Sequence, residues 1–151
     1  MNRQTFAARS LAFALMSAAS LIATGAMAAE MVVYKSPYCG CCEAWAEALK
    51  ASGIALRIEN VEDMDALKAS YKVPDDAWSC HTAVADGYVF EGHVPLDAVN
   101  RVLTARPEIT GIAVPGMPSG SLGMGEDPSA SYDVVAFTKT GSQSVYMEIR
   151  P

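Results

Sequence analysis

The chain has 151 residues, of which 51% are hydrophobic, and its formal net charge at pH 7 is −6. This length suits one domain with a modest core. The excess of acidic residues argues against nucleic acid and anionic lipid as partners, because both repel a negatively charged surface.

The N-terminus has the parts of a secretory signal peptide. Arg3 and Arg9 precede an almost entirely apolar segment over residues 10–23. An Ala-Met-Ala triplet follows at the spacing that signal peptidase recognises. We therefore predict a signal peptide over residues 1–28 and an exported domain over residues 29–151. No later segment reaches the ~20 apolar residues that a membrane span requires, so we expect no membrane partner after cleavage.

Strand and helix patterns alternate along the rest of the chain. We predict strands at residues 31–34, 54–58, 82–85 and 88–90, and helices at residues 43–51, 64–71 and 96–105. Gly53 follows the first helix at the place of a C-cap glycine, and Asp86-Gly87 is a two-residue hairpin turn. The order β-α-β-α-β-β-α is that of thioredoxin-like domains, which predicts a single α/β domain of this type.

The C-terminal part adds a loop and a predicted hairpin. Residues 111–131 are rich in Gly, Pro and Ser, and residues 132–138 and 144–149 have strand patterns joined by a turn. We predict that this C-terminal β-hairpin extends the sheet. The loop contains Met117 and Met124; a thioether suits Cu(I), but methionine is usually apolar filler, so the sequence leaves their role open.

Three cysteines lie between the first strand and the first helix. Cys39 and Cys42 have the Cys-x-x-Cys spacing at a helix start, where the helix N-terminus stabilises a thiolate. A thiolate is both a nucleophile and a metal ligand, so this position suits disulfide exchange and metal binding alike. The third thiol, Cys41, favours metal, because a soft cation such as Cu(I) or Zn(II) relieves repulsion among three thiolates. A Cys39–Cys42 disulfide, with or without a Cys41–Cys80 bond, remains an alternative.

The remaining chemistry-bearing residues lie near the predicted hairpin. In thioredoxin-like proteins the loop before this hairpin folds back over the redox cysteines, and here that loop contains Cys80 and His81. His93 follows the returning strand, which ends at the same edge of the sheet. The predicted metal site therefore consists of Cys39, Cys41, Cys42, Cys80, His81 and His93.

Five ordered motifs resemble the CopG-like metal-binding family, which was long catalogued as a domain of unknown function. They are Tyr34-Lys-Ser-Pro-Tyr-Cys-Gly-Cys-Cys42, Ser79-Cys-His-Thr-Ala-Val84, Asp86-Gly-Tyr-Val89, Glu91-Gly-His-Val-Pro95 and Ala113-Val-Pro-Gly-Met-Pro118. The resemblance spans residues 31–149. It implies a thioredoxin-like domain, export to the periplasm and a role in copper resistance or homeostasis, with copper ions and other periplasmic copper-handling proteins as partners. By motif match, it implies copper binding by the four cysteines, with His81 and His93 nearby, and a coupling of copper binding to redox change.

Three functions are therefore open at this point. The leading one is a copper-binding protein that sequesters or hands on Cu(I), with interconversion of Cu(I) and Cu(II). A thiol–disulfide oxidoreductase would use Cys39 to attack and Cys42 to resolve. A structural Zn(II) site in an interaction module would use a similar ligand set. The chain has no Ser-His-Asp arrangement, phosphate loop or dinucleotide fingerprint, so we assign no catalytic residue. If the chain is an enzyme, we expect it to be a copper oxidoreductase or a thiol–disulfide oxidoreductase.

Overall fold

Seven strands form one mixed sheet in the computed structural model, which describes residues 30–151. The predicted signal peptide over residues 1–28 lies outside the described residues. Within these residues three α-helices connect the strands or pack on the sheet. No helix in the described part of the chain is both long and apolar enough to cross a membrane.

The elements follow in chain order as β1 (Met31–Lys35), α1 (Gly40–Ala51), β2 (Leu56–Asn60), α2 (Met64–Ser70), β3 (His81–Ala85), β4 (Tyr88–Glu91), α3 (Leu96–Ala105), β5 (Gly111–Ala113), β6 (Tyr132–Phe137) and β7 (Gln143–Ile149). The sheet order is β2-β1-β3-β4-β5-β6-β7. Strand β1 is parallel to β2, and β4 is parallel to β5, whereas the other neighbours are antiparallel. The predicted α/β class is confirmed, and the C-terminal hairpin is present as β6 and β7.

The first helix begins and ends as capping chemistry dictates, with one correction to the predicted start. It begins at Gly40 rather than at residue 43, so Cys39 is its N-cap residue. It ends with backbone bonds from Gly53 N–H to the Lys50 carbonyl and from Ile54 N–H to the Leu49 carbonyl. This pair of bonds, with Gly53 at φ +93°, is a Schellman motif. Because it uses residue 54 to close the helix, β2 begins at residue 56 instead of residue 54.

Strand β5 lies inside the segment that was predicted as a loop. Its three residues are buried between β4 and β6. A β-carbon on Gly111 would collide with the Val89 carbonyl oxygen and would lie 2.8 Å from Cζ of Phe137. Three residues that begin with glycine give no alternating pattern, and this is why the sequence prediction missed the strand.

Two apolar clusters cover the faces of the sheet. The larger cluster packs α1 and α3 on one face, with Trp45, Leu49 and Val102 fully buried. The smaller cluster, around Val73 and Phe137, covers the other face. Strands β3, β4 and β5 are therefore buried almost throughout, and the residues at their ends are held on a rigid support.

We expect Gly111→Ala to lower the free energy of unfolding by about 1–3 kcal/mol, because overpacking forces the backbone of β4 or the Phe137 ring to move. Urea unfolding of the reduced, metal-free protein, followed by tryptophan fluorescence, would measure the change. Gly40→Ala is the matched control: a β-carbon there meets nothing within 4 Å, and alanine is the better helix former. Equal stability of the two variants would contradict the position of β5.

Candidate metal centre

Three segments meet at one edge of the sheet because of how β1, β3 and β4 pair. The end of β1 lies beside the start of β3, with Lys35 opposite His81. The end of β4 lies beside the same point, with Glu91 opposite Thr82. The cysteine cluster that follows β1, the Cys80-His81 pair and His93 are thereby brought together, as the sequence predicted for their positions.

The four sulfur atoms form a compact group. The Sγ atoms of Cys39, Cys41, Cys42 and Cys80 all lie within 4.8 Å of one another. Cys39 and Cys42 are joined by a disulfide, whereas Cys41 and Cys80 are free thiols. The structure thus contains the first of the two bonds that the disulfide alternative considered and lacks the Cys41–Cys80 bond.

The two bridged cysteines differ in their access to solvent. Cys42 is fully buried in the first turn of α1, and Cys39 is partly exposed at the N-cap position. The Sγ atom of Cys39 also lies 3.5 Å from that of Cys41. After reduction, the first turn of α1 would present three thiols at the positive end of the helix dipole, which stabilises thiolates.

Cys80 and the two histidines form a second group that shares one sulfur with the first. The Sγ atom of Cys80 lies 2.9 Å from Nε2 of His93 and 3.5 Å from Nδ1 of His81. Nδ1 of His93 lies 2.8 Å from the Leu122 carbonyl oxygen. Because a carbonyl only accepts, Nδ1 must carry the proton, and Nε2 of His93 keeps its lone pair towards Cys80. A backbone contact of this kind orients a histidine for metal binding.

His81 is the most enclosed residue of the group. Its side chain is fully buried, with the Trp45 ring 4.5 Å away and the His93 ring 5.1 Å away, centroid to centroid. Burial holds the pKa of His81 well below its usual range, with smaller electrostatic contributions from the neighbouring His93 and Lys68. The ring is therefore neutral, which is the form that binds metals. Within residues 30–151 its Nε2 atom has no hydrogen-bond partner.

Burial also controls the protonation of Cys80 and His93. Burial, followed by the nearby charge of Cys41, raises the pKa of Cys80 to about 12. Burial lowers the pKa of His93, and the Leu122 carbonyl partly offsets this. Without a cation the group is an uncharged thiol beside two uncharged imidazoles, so a soft cation could bind here by replacing the thiol proton.

The loop before β6 folds over the site, and it contains contacts that the sequence prediction did not find. Leu122 supplies the carbonyl that accepts from His93. Gly123 packs so closely on α1 that a β-carbon would lie 2.7 Å from the backbone nitrogen of Trp45. The glycine-rich composition was the available signal, but it does not say which residue makes a contact. Met117 is 56% exposed and Met124 is half-buried, and neither methionine belongs to the predicted metal site.

The donor set suits a thiophilic metal. Sulfur and imidazole are the ligands that Cu(I) and Zn(II) prefer over carboxylate or water. The six residues come from three separate segments that a well-packed sheet fixes in place. They could therefore hold one ion or several ions that share sulfur ligands.

Comparison with known proteins adds a family and two structures. A family model described as a protein of unknown function, DUF411, matches residues 77–124. The solved structure of copper resistance protein CopG, form 1, is 37% identical, with a TM-score of 0.77, and the match covers 83% of this chain and 100% of that one. Form 2 is 38% identical, with a TM-score of 0.75, and the match covers 80% and 98%. No curated protein matches the chain.

We expect Cys80 to react slowly with iodoacetamide while the protein is folded, because the thiolate is the reactive form and burial keeps this sulfur protonated. In the Cys39–Cys42-bridged protein at pH 8, its rate should be at least about a hundredfold below that of the same residue in urea. The rate should still be rising at pH 10. Peptide mass spectrometry after timed alkylation would measure it, and a folded rate close to the unfolded one would contradict the arrangement around Cys80.

Proposed function

The chain belongs to the CopG-like copper resistance family, and from this premise we propose that it binds copper in the service of copper resistance or homeostasis. The proposed ligands are Cys39, Cys41, Cys42, Cys80, His81 and His93. The observation that carries the proposal is that four sulfur atoms, from two segments far apart in sequence, lie within 4.8 Å of one another. Sulfurs in such a group are close enough to share a thiophilic ion.

Thiolate ligands suit both Cu(I) and Zn(II), so the donor set alone does not separate the two ions. We propose Cu(I) because the family is a copper resistance family. Cys41 and Cys42 are adjacent in the chain, so they do not easily direct both sulfurs to one ion. We propose that sulfurs bridge ions and that the chain holds more than one Cu(I). The two imidazoles accept either oxidation state of copper, which supports interconversion of Cu(I) and Cu(II) as part of the function.

The disulfide links copper loading to reduction in this proposal. While Cys39 and Cys42 are bonded to each other, neither can act as a thiolate ligand. Reduction of the bond by a dithiol, with two electrons and two protons, gives two thiols and oxidises the dithiol to its disulfide. The fully reduced protein then offers four sulfurs, whereas the bridged protein offers two.

The remaining parts of the proposal concern fold type and location. The order β1-α1-β2 followed by β3-β4-α3, with the Cys-x-x-Cys pair at the start of α1, supports a thioredoxin-like domain extended by the C-terminal hairpin. The basic, apolar and small-residue segments over residues 1–28 support signal cleavage, a mature domain over residues 29–151 and a periplasmic location. Other periplasmic copper-handling proteins are the proposed donors and acceptors.

One observation favours a second function, thiol–disulfide oxidoreduction. The structure contains the Cys39–Cys42 disulfide at a helix N-terminus, with Cys39 partly exposed and Cys42 buried. This is the asymmetry expected of a pair in which the outer sulfur exchanges with a substrate and the inner sulfur resolves the mixed disulfide. Cys41 has no part in such a reaction.

We expect the anaerobically reduced protein to bind more than one Cu(I) per chain in competition with a chromogenic Cu(I) chelator. Cys80→Ser should weaken binding at least about tenfold, because it removes the sulfur shared by the two groups. The bridged protein should bind less copper than the reduced protein, and Ser142→Ala, in the exposed turn between β6 and β7, should match the wild type. Unchanged stoichiometry in the Cys39→Ser, Cys42→Ser double variant would count decisively against the proposal.

Cys41→Ser separates the two functions. If copper binding is the function, the variant should lose copper while its Cys39–Cys42 bond still forms. If disulfide exchange is the function, the metal-free variant, supplied with a dithiol that re-reduces the Cys39–Cys42 bond, should reduce a small disulfide substrate as fast as the wild type. Steady-state turnover of that substrate, measured beside copper stoichiometry on the same preparation, decides between them.

A further inference from the structure

We propose that Glu91 is a positioning residue that holds the Cys80-His81 pair against the cysteine cluster, with Lys68 as its buried counter-ion. This inference rests on the proposed copper function. Glu91 is fully buried and Lys68 is 3% exposed, and neither side chain was predicted to act at the site. Lys68 belongs to α2 and Glu91 to β4. The Glu91 side chain lies on the face of the sheet opposite the one that packs against α1.

The Glu91 carboxylate bonds to both sides of the pair that it is proposed to hold. Its Oε1 atom accepts from the backbone N–H of Ser79 at 2.7 Å, and its Oε2 atom accepts from Oγ1 of Thr82 at 2.7 Å. Ser79 immediately precedes Cys80, and Thr82 immediately follows His81. One rigid carboxylate therefore fixes both ends of the two-residue segment.

Lys68 completes the network from α2. Its Nζ atom donates to Oε1 of Glu91 at 2.5 Å and to Oγ1 of Thr82 at 3.2 Å. Stability alone does not require such a network, because a buried ion pair can often be replaced by apolar residues of similar volume without loss. The feature that apolar residues cannot reproduce is the pair of directed hydrogen bonds on either side of Cys80 and His81.

The two residues after Glu91 contact the same segment. Gly92 adopts φ +71°, and a β-carbon there would collide with the Ser79 side chain and lie 2.9 Å from the Val114 carbonyl. His93 follows, with Nε2 at 2.9 Å from Sγ of Cys80. The consecutive residues 91–93 thus contact Ser79, Cys80 and Thr82. Glu91 is the one whose hydrogen bonds lie on both sides of Cys80.

The first test uses the metal-free protein, so it does not depend on copper. In the Cys39–Cys42-bridged form, Glu91→Gln should raise the alkylation rate of Cys80 at least about fivefold, because glutamine has one acceptor oxygen in place of two and no charge to pair with Lys68, so it cannot accept from Ser79 and from Thr82 at the same time. Thr82→Val removes one hydroxyl at equal volume and should act in the same direction. Thr82→Ser keeps the hydroxyl and should stay near the wild-type rate.

A matched control separates positioning from general loss of stability. Val102→Ala removes buried apolar volume on α3, which destabilises the protein without touching the segment around Cys80. Its Cys80 should react at the wild-type rate under conditions where its fold is intact by circular dichroism. An equal increase in Val102→Ala and Glu91→Gln would overturn the inference. If Glu91→Gln does not fold, the Thr82→Val and Thr82→Ser pair decides the question alone.

The second test adds Cu(I) to the reduced proteins. Glu91→Gln and Thr82→Val should weaken Cu(I) binding about tenfold or more and shift the ultraviolet sulfur-to-copper absorption, whereas Thr82→Ser and Val102→Ala should do neither. Failure of the wild type to bind Cu(I) would refute the proposed function and leave the alkylation test to judge the positioning role. Wild-type copper binding, with no effect of Glu91→Gln on either readout, would refute the positioning role alone.

Discussion

The antiparallel pairing of β1 with β3 is the constraint on which the site depends. Its register places Lys35 opposite His81 and Tyr34 opposite Thr82. Because side chains alternate between the two faces of a sheet, a shift of one residue would move His81 to the other face, away from Trp45 and α1. The contact of Cys80 with the cysteine cluster therefore requires this register, whereas its contact with His93 depends on the pairing of β3 with β4.

The site combines burial with an absence of net charge on its histidines, and this combination has a physical reason. Thiol and imidazole groups tolerate desolvation when neutral, whereas a buried carboxylate needs a cation or several donors. The structure keeps these two kinds of group on different sides of β3: soft, neutral donors face α1, and the charged pair of Lys68 and Glu91 lies with Thr82. In the metal-free protein two of the four sulfurs are bonded to each other and burial keeps Cys80 protonated, so the sulfurs can be close together without the mutual repulsion of four anions.

Sequence reasoning found the parts that depend on local patterns and topology. The Asp86-Gly87 hairpin, the α3 helix and the β6–β7 hairpin have strong local signals, and the convergence of Cys80 with the N-terminal cysteines follows from strand order. It missed β5, which is too short to have a pattern. It also missed the contacts of Leu122 and Glu91, because a backbone carbonyl and a carboxylate in a strand give no sign of their distant partners. The bond between Cys39 and Cys42 depends on redox state, which spacing alone does not determine.

The bond between His93 and Leu122 has a consequence for how this family can vary. The acceptor is a main-chain oxygen, so its presence does not depend on which side chain residue 122 has. Its location depends instead on how many residues separate it from the Ser79–Gly116 bridge that anchors the start of the same loop. The length of the loop between residues 116 and 122 therefore determines whether a carbonyl lies close enough to keep the proton on Nδ1 of His93. Substitutions at this position leave the acceptor in place, whereas a single-residue insertion or deletion between residues 116 and 122 would displace the Leu122 carbonyl from Nδ1 of His93.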